Sequence, residues 1–213
     1  MAKQLHLRNS RMESDLNEAK KKLYDKYCKT YEERTKDYVT NYLRADVDKF
    51  LQSLQGKLIL DIGAGPGRDG KIFNEKGFRT ICLDLSKGML NLCREKDLEV
   101  VLANFENLCF KQNSFDGIWA YTSLTTVPKA SFQKILPEIR QLLKPEGVFY
   151  VAMIEGKGEG WKQPDSKYDM PRYHARYSPG ELRAILRRDF SIIHGSVIST
   201  ERNTYLNFMC TPS

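Results

Sequence analysis

Residues 58–69 constrain the fold of this chain more than any other stretch. An apolar run over 58–62 leads into a glycine-rich turn over 63–67, and a helical pattern follows. The apolar run indicates a buried parallel strand. Glycines let the backbone turn sharply and approach a ligand closely, and the first N–H groups of a helix point towards the same place. Strand, glycine turn and helix in this order are typical of a nucleotide-binding α/β unit.

The residues within this unit disfavour a dinucleotide. A dinucleotide fingerprint needs a small residue three positions after its second glycine, and this chain has Arg68 there. Pro66 lacks an N–H group that a pyrophosphate would use, and the carboxylate of Asp61 would repel a pyrophosphate. The same carboxylate favours a ligand that carries an ammonium group. A dehydrogenase is therefore disfavoured.

The stretch resembles motif I of the class I S-adenosylmethionine-dependent methyltransferases, whose cofactor carries such an ammonium. Residues 84–90 are similar to the family's Asp-x-Ser-x-x-Met-Leu segment, and residues 142–147 match its Leu-Leu-Lys-Pro-x-Gly turn. The resemblance implies an α/β fold with a three-layer, doubly wound, mostly parallel seven-stranded sheet whose last strand is antiparallel, in a single domain over 1–213. It also implies methyl transfer from S-adenosyl-L-methionine, with S-adenosylhomocysteine as the other product.

The predicted second strand ends in Asp84, about 20 residues beyond the turn, where a carboxylate accepts hydrogen bonds from ribose hydroxyls. The resemblance implies that Met89 packs on the adenine, although a purely structural core position is the alternative. Asn104 stands where the family has an acid that accepts from the adenine amino group, and Phe105 lies either on the adenine or in the core. The predicted cofactor-binding residues are Tyr31, Asp61, Gly63, Ala64, Gly65, Gly67, Arg68, Asp69, Asp84, Leu85, Met89, Asn104, Phe105, Ala120 and Tyr121.

Two segments outside the predicted sheet are expected to cover the site. Helical patterns over about 1–55 resemble the N-terminal cap of small-molecule methyltransferases. The resemblance implies that Tyr31 closes over the methionine tail, and the alternative is that it only packs the helix onto the domain. Residues 155–177 are rich in glycine and irregular, and a loop of this length is typical of an active-site lid.

The candidates for acceptor binding or proton removal are Tyr121, His174 and Tyr177, and Trp161 is expected beside them. Tyr121 follows the predicted fourth strand, whose tip faces the methyl group of the cofactor in this family. His174 lies in the predicted lid, where the alternative is an exposed loop histidine. No metal site is predicted, because the sequence shows no acidic cluster of the kind that binds a catalytic cation.

Composition narrows the class of acceptor. The net charge of +7 is spread along the chain without a basic block interleaved with aromatic residues, which disfavours nucleic acid and leaves a small molecule as the expected acceptor. No apolar run approaches about 18 residues, and the five cysteines are scattered. We therefore expect a cytoplasmic protein, monomeric or homodimeric, without a membrane partner. The alternatives are a methyltransferase acting on protein or RNA and a catalytically silent cofactor-binding protein.

Overall fold

The computed structural model describes residues 2–105 and 107–213, with side chains described from residue 14 onward. Helices alternate with strands over much of this length, as expected for a doubly wound fold. The helices are α1 (Ala2–Thr35), α2 (Arg44–Ser53), α3 (Arg68–Glu75), α4 (Lys87–Arg94), α5 (Lys129–Leu142) and α6 (Pro179–Leu186). The strands are β1 (Leu58–Ile62), β2 (Arg79–Asp84), β3 (Glu99–Leu102), β4 (Phe115–Tyr121), β5 (Leu143–Glu155), β6 (Glu159–Lys162), β7 (Arg172–Tyr177), β8 (Phe190–Ser199) and β9 (Thr204–Pro212).

The sheet has a parallel centre in the order β3-β2-β1-β4-β5. Beyond β5, strand β9 pairs antiparallel with β5, and β8 pairs antiparallel with β9. The predicted mostly parallel, doubly wound sheet with an antiparallel last strand is therefore confirmed. The predicted strand number of seven is wrong, because the sheet of the described residues has nine strands.

The two additional strands, β6 and β7, lie in the segment predicted to be a lid loop. They pair antiparallel with each other from Glu159 opposite Ala175 to Lys162 opposite Arg172. The glycines of this segment suggested irregular backbone, but Gly160 has an extended φ of 159° and lies inside β6 opposite His174. The β6–β7 ribbon therefore replaces both ends of the predicted loop, and residues 163–171 connect the two strands.

Alternate residues of β1 face opposite layers of the fold. Leu60 and Ile62 pack into the apolar layer beneath α5 and α6, whereas Ile59 packs with Phe50 of α2 and Phe73 of α3. Apolar contact on both faces explains why a continuous apolar run, without polar alternation, forms this strand. The residue of β1 between Leu60 and Ile62 is Asp61, which points to the layer of α2 and α3.

Strand β5 extends further than β4, and this difference positions the β6–β7 ribbon. The last residue of β4, Tyr121, pairs with Ala152 of β5. Two residues later, Ile154 of β5 pairs with Arg176 of β7 on the same edge and with β9 on the other edge. The ribbon therefore lies directly beyond the carboxyl end of β4, at the edge of the sheet where α/β proteins bind ligands.

Among residues 2–105 and 107–213, no helix combines the length and the apolar character that crossing a membrane requires.

Candidate functional site

A cavity of about 810 Å³ opens at the carboxyl ends of the parallel strands. The glycine turn and the ends of β2 and β4 form its floor, while α1, the β6–β7 ribbon and the β8–β9 hairpin contribute the other walls. The structure brings most of the sequence-predicted site residues to this cavity. Those that line it are Tyr31, Asp61, Gly63, Ala64, Gly65, Arg68, Asp69, Asp84, Leu85, Met89, Asn104, Phe105, Tyr121 and His174.

The glycine turn needs glycine for two different reasons. Gly63 has a φ of 70°, and a Cβ there would lie 2.4 Å from the Cβ of Ser123. Gly67 has a φ of 76°, and a Cβ there would lie 2.6 Å from Cδ1 of Leu98 and 2.9 Å from Sγ of Cys93. Gly67 does not line the cavity, contrary to the prediction, because it faces the packing between α3 and α4.

Asp84 ties the glycine turn to the start of α4. One carboxylate oxygen accepts from the backbone N–H of Gly65 at 2.9 Å, and the other accepts from the N–H of Ser86 at 2.9 Å. Burial raises the pKa of Asp84, although the backbone N–H groups of Ser86 and Gly65 act in the opposite direction. Each carboxylate oxygen keeps a further lone pair, so the group can still accept from two hydroxyls.

Asp61 is a buried carboxyl group with an oxygen that has no hydrogen-bond partner. Its exposed fraction is 2%, and Oδ2 is the unpartnered atom. Burial and the neighbouring Asp69 raise the pKa of Asp61 well above its usual range. Because unpartnered buried polar atoms are rare in proteins, this oxygen fits a site for the ammonium group of a ligand.

Asp69 is held by two partners on opposite sides. It accepts from Nε of Arg68 at 2.6 Å and from Nη2 of the same residue at 3.0 Å, and the indole N–H of Trp119 donates to it at 2.9 Å. Nη1 of Arg68 donates to the carbonyl of Thr35 at 3.2 Å. This network joins the end of α1 to the start of α3 and holds the Arg68 guanidinium beside the cavity.

Three tyrosines meet above the tip of β4. The ring of Tyr121 lies 5.7 Å from that of Tyr38 and 5.9 Å from that of Tyr205. Burial raises the pKa of Tyr121, which opposes formation of a phenolate. Tyr38 and Tyr205 also line the cavity, and the sequence analysis missed both. The neighbouring Ala120 is fully buried in the layer beneath α5 and does not line the cavity, because adjacent strand residues face opposite sides.

The alternation of β7 separates the predicted acceptor residues. Arg172, His174 and Arg176 face the cavity, whereas the intervening residues face away from it. Tyr177 is fully buried, with its ring 5.7 Å from that of Phe132. The placement of Tyr177 in the acceptor site is therefore wrong.

Trp161 of β6 also lies outside the cavity. It pairs with Tyr173 of β7, and the two rings are 5.7 Å apart on the face that is turned away from the cavity. His174, in contrast, is a half-buried residue within a strand, so the alternative of an exposed loop histidine is also wrong. Burial, together with the cationic Arg172, Arg176 and Lys162, lowers the pKa of His174 to about 4.

Several lining residues were not among the predicted site residues. The β8–β9 hairpin contributes its tip. The repeated Arg-x-His-x-Arg pattern of β7 was a usable signal, since a period of two places these side chains on one face. The missed residues include Tyr24, Arg34, Tyr38, Ser123, Lys162, Tyr168, Arg172, Arg176, Glu201, Arg202, Asn203 and Tyr205.

Comparison with known proteins finds similarity to methyltransferases. Residues 60–151 match the family model described as "Methyltransferase domain". The chain is 33% identical over 61% of its length to an uncharacterized protein of Methanocaldococcus jannaschii, and 31% identical over 68% to the biotin biosynthesis bifunctional protein BioHC of Cellvibrio japonicus. It spans only 49% and 31% of the lengths of these two relatives.

A solved structure shares the fold. The 1,6-didemethyltoxoflavin-N1-methyltransferase of Burkholderia thailandensis, with bound 1,6-didemethyltoxoflavin and S-adenosylhomocysteine, superimposes with a TM-score of 0.66. The match covers 79% of this chain and 76% of the other at 22% identity. Residues 60–151 are therefore similar to a methyltransferase domain, and the chain shares the fold of this S-adenosylhomocysteine-bound methyltransferase.

Proposed function

We propose that this protein binds S-adenosyl-L-methionine in the cavity and transfers its methyl group to a small-molecule acceptor. The observation that carries the proposal is the buried, unpartnered carboxylate oxygen of Asp61 at the glycine turn. A pyrophosphate or another anion would be repelled there, whereas the ammonium group of the methionine tail would supply the missing hydrogen-bond donor and charge.

The other polar contacts follow from the position of this ammonium. Asp84 accepts from the two ribose hydroxyls with the lone pairs that its backbone partners leave free. Arg68 lies next to Asp61 and presents a guanidinium to the carboxylate of the methionine tail. Met89 and Phe105 line the adenine side, where Asn104 accepts or donates as an amide.

Bound cofactor supplies a methyl carbon activated by a sulfonium, so that the acceptor atom forms a bond to carbon as the carbon–sulfur bond breaks. The protein therefore has to align the acceptor and exclude water. Burial raises the pKa of Tyr121, and the pKa of His174 is lowered to about 4. Positioning is therefore the larger contribution of these residues, with Tyr121 and His174 in contact with the acceptor.

Water exclusion is the role that we assign to α1 and residues 163–171. Lys26 of α1 forms a 2.6 Å ion pair with Asp169, and the ring of Tyr27 lies 5.2 Å from that of Tyr168. Tyr31 lies beside the glycine turn, with its Cε1 3.7 Å from an ideal Cβ built on Gly65. The N-terminal cap and the connecting segment thus form one cover over a single domain.

Calorimetric titration with S-adenosylhomocysteine tests the cofactor part of the proposal. We expect Asp61→Asn to weaken binding by at least about tenfold, about 1.4 kcal/mol, because the neutral amide loses the charge interaction with the ammonium. Asp48→Asn is the matched control, since Asp48 forms an exposed ion pair with Lys76 away from the cavity. No binding by the unmodified protein, or equal binding by Asp61→Asn, would reject the proposal.

The acceptor class needs a second experiment. Purified protein, S-adenosyl-L-methionine and fractionated metabolite pools are incubated, and formation of S-adenosylhomocysteine is measured. Turnover with a low-molecular-weight fraction is the expected result. Turnover only with protein or RNA, or cofactor binding without turnover in any fraction, would support the alternative acceptors or a silent binding protein instead.

A further inference from the structure

The cavity wall opposite the glycine turn carries a concentration of positive charge that the cofactor does not explain. Arg172 and Arg176 project from the same face of β7, Lys162 comes from β6, and Arg34 comes from α1. Asp165 is an acidic partner of two of these residues, since it pairs with Arg172 and, at 3.3 Å, with Lys162. We call this wall, formed by Arg34, Lys162, Arg172, His174 and Arg176, the cationic wall.

Two of the guanidinium groups have incomplete hydrogen bonding. Nη1 of Arg34 and Nε of Arg172 are buried without a partner, and the same holds for Nδ1 of His174. The guanidinium carbons of Arg34 and Arg172 lie 5.1 and 4.4 Å from the centroid of the same ring, that of Tyr168, so both groups pack against this ring. Burial of donors without acceptors is unfavourable, and an oxyanion would supply the acceptors that they lack.

Arg176 adds a third guanidinium to the wall. Its side-chain hydrogen bond is a 3.4 Å contact from Nη1 to the carbonyl of Glu155, and the described residues provide no ion pair for it. His174 lies between Arg172 and Arg176 on β7. Its pKa is lowered by burial and by the positive charges of Arg172, Arg176 and Lys162, so this pKa is sensitive to the charge of the wall. Lys167, from the connecting segment, adds a further positive charge at the cavity.

The methyl donor does not account for this wall. S-adenosyl-L-methionine carries a sulfonium and an ammonium against one carboxylate, so its net charge is positive. In the proposed function, on which this inference rests, Arg68 already binds the carboxylate of the methionine tail. The cationic wall lies beyond the tip of β4, where the acceptor must approach the methyl group.

We infer that the methyl acceptor is a small organic anion, whose carboxylate or phosphate group binds between Arg34, Arg172 and Arg176 on the cationic wall. A planar guanidinium pairs with either oxyanion through two parallel hydrogen bonds. The anionic group orients the acceptor, and the rest of the molecule extends towards the glycine turn. The cavity volume of about 810 Å³ suits a metabolite-sized anion.

Proton NMR of the histidine rings tests anion binding directly. The chain has three histidines, and His174→Gln identifies the signals of His174. Inorganic phosphate is titrated into the protein, with chloride at equal ionic strength as the reference. We expect phosphate to raise the pKa of His174, because a bound anion offsets the neighbouring cations and favours the protonated ring.

Variants of Arg176 test whether this residue contributes to the phosphate response of His174. Arg176→Gln is expected to raise the pKa of His174 in the absence of phosphate and to reduce the phosphate response, whereas Arg176→Lys retains most of the response. Arg94→Gln is the control, because Arg94 is exposed on α4, where its side chain donates to Asn91, and it does not line the cavity. An unchanged His174 pKa in phosphate, or an equal response in Arg176→Gln, would overturn the inference.

Matched acceptor pairs distinguish the two kinds of anion. Carboxylic acids are compared with their primary amides, and phosphate monoesters with their parent alcohols, by formation of S-adenosylhomocysteine. We expect the anionic member of a turned-over pair to be preferred at least tenfold in kcat/KM, and Arg176→Gln to remove this preference. Preference for the neutral members would overturn the inference.

The outcomes separate this inference from the function on which it rests. If S-adenosylhomocysteine does not bind, the proposed function fails, and the phosphate response of His174 still decides whether the wall binds anions. If the cofactor binds and neutral acceptors are preferred, only the inference fails. Tight RNA binding at the same wall, with a steep salt dependence, would also overturn it in favour of a nucleic-acid contact.

Discussion

Asp25 and Ser86 are 61 residues apart in the chain, and the hydroxyl of Ser86 donates to the Asp25 carboxylate at 2.6 Å. The same carboxylate oxygen of Asp25 also accepts from the backbone N–H of Gly88 at 2.8 Å. Asp25 belongs to α1, whereas Ser86 is the N-cap of α4 and accepts from the N–H of Met89. A carboxylate of the N-terminal helix therefore completes the cap of the helix that follows Asp84, where negative charge also interacts favourably with the helix dipole.

Replacing Asp25 should loosen this attachment. Asp25→Ala is expected to lower the free energy of unfolding by about 1 kcal/mol, because two hydrogen bonds at a helix N-terminus are lost. Urea denaturation followed by circular dichroism measures the change. Asp15→Ala, on the same helix but exposed, should leave stability within about 0.5 kcal/mol. Equal stability of the Asp25 variant and the unmodified protein would show that the contact adds nothing.

Replacing Asp84 tests the ribose-binding part of the cofactor site. Asp84→Ala should weaken S-adenosyl-L-methionine binding by at least about tenfold, or about 1.4 kcal/mol, because no acceptor for the ribose hydroxyls remains. Calorimetry measures the affinity, and circular dichroism checks that the fold is retained. The exposed Asp97 lies outside the cavity, so Asp97→Ala is a control for loss of an acidic side chain. An unchanged affinity in Asp84→Ala would reject the ribose assignment.

The features that sequence analysis predicted correctly are encoded locally. The apolar run of β1, the glycine turn and the start of α3 are contiguous, so their residue types identify the unit without knowledge of distant contacts. Asp84 was also predictable, because parallel strands end at a common edge and β2 follows this unit directly. Its bond to Ser86 is local, whereas its bond to Gly65 follows from the parallel pairing of β1 with β2, which brings their carboxyl ends together.

The features that sequence analysis missed depend on strand pairing between segments that are far apart in the chain. Whether Arg172 or Tyr177 faces the cavity is decided by the register of β7 on Ile154 and Glu155 of β5, and a shift by one residue would exchange the two faces. Tyr205 reaches the site because β9 pairs with β5 over residues far apart in sequence. Composition and local pattern do not specify such registers, so the acceptor side was less predictable than the cofactor side.

The N-terminal helix is expected to be needed for cofactor retention but not for the sheet. Deleting residues 1–35 removes Tyr24 and Tyr31 from the cavity wall and takes away the carbonyl of Thr35 that accepts from Arg68. The remaining chain should stay folded and bind S-adenosylhomocysteine more weakly. Equilibrium dialysis and circular dichroism measure the two properties. If the truncated protein binds S-adenosylhomocysteine as tightly as the full chain, α1 is only a packing element or a partner surface.

Asp61 should also make cofactor binding depend on pH. Its pKa is raised well above the usual range in the free protein by burial and by Asp69, whereas a bound ammonium would favour the carboxylate and lower that pKa. Binding should therefore release a proton near and below the raised pKa of the free protein, and affinity should fall as the pH is lowered through that range. Calorimetry in buffers with different ionisation enthalpies measures the proton release. The Asp61→Asn variant should release fewer protons, with the remainder coming from Asp84, whose pKa is also raised. Affinity that rises on acidification, or identical proton release in the variant, would contradict a direct contact between Asp61 and the ammonium.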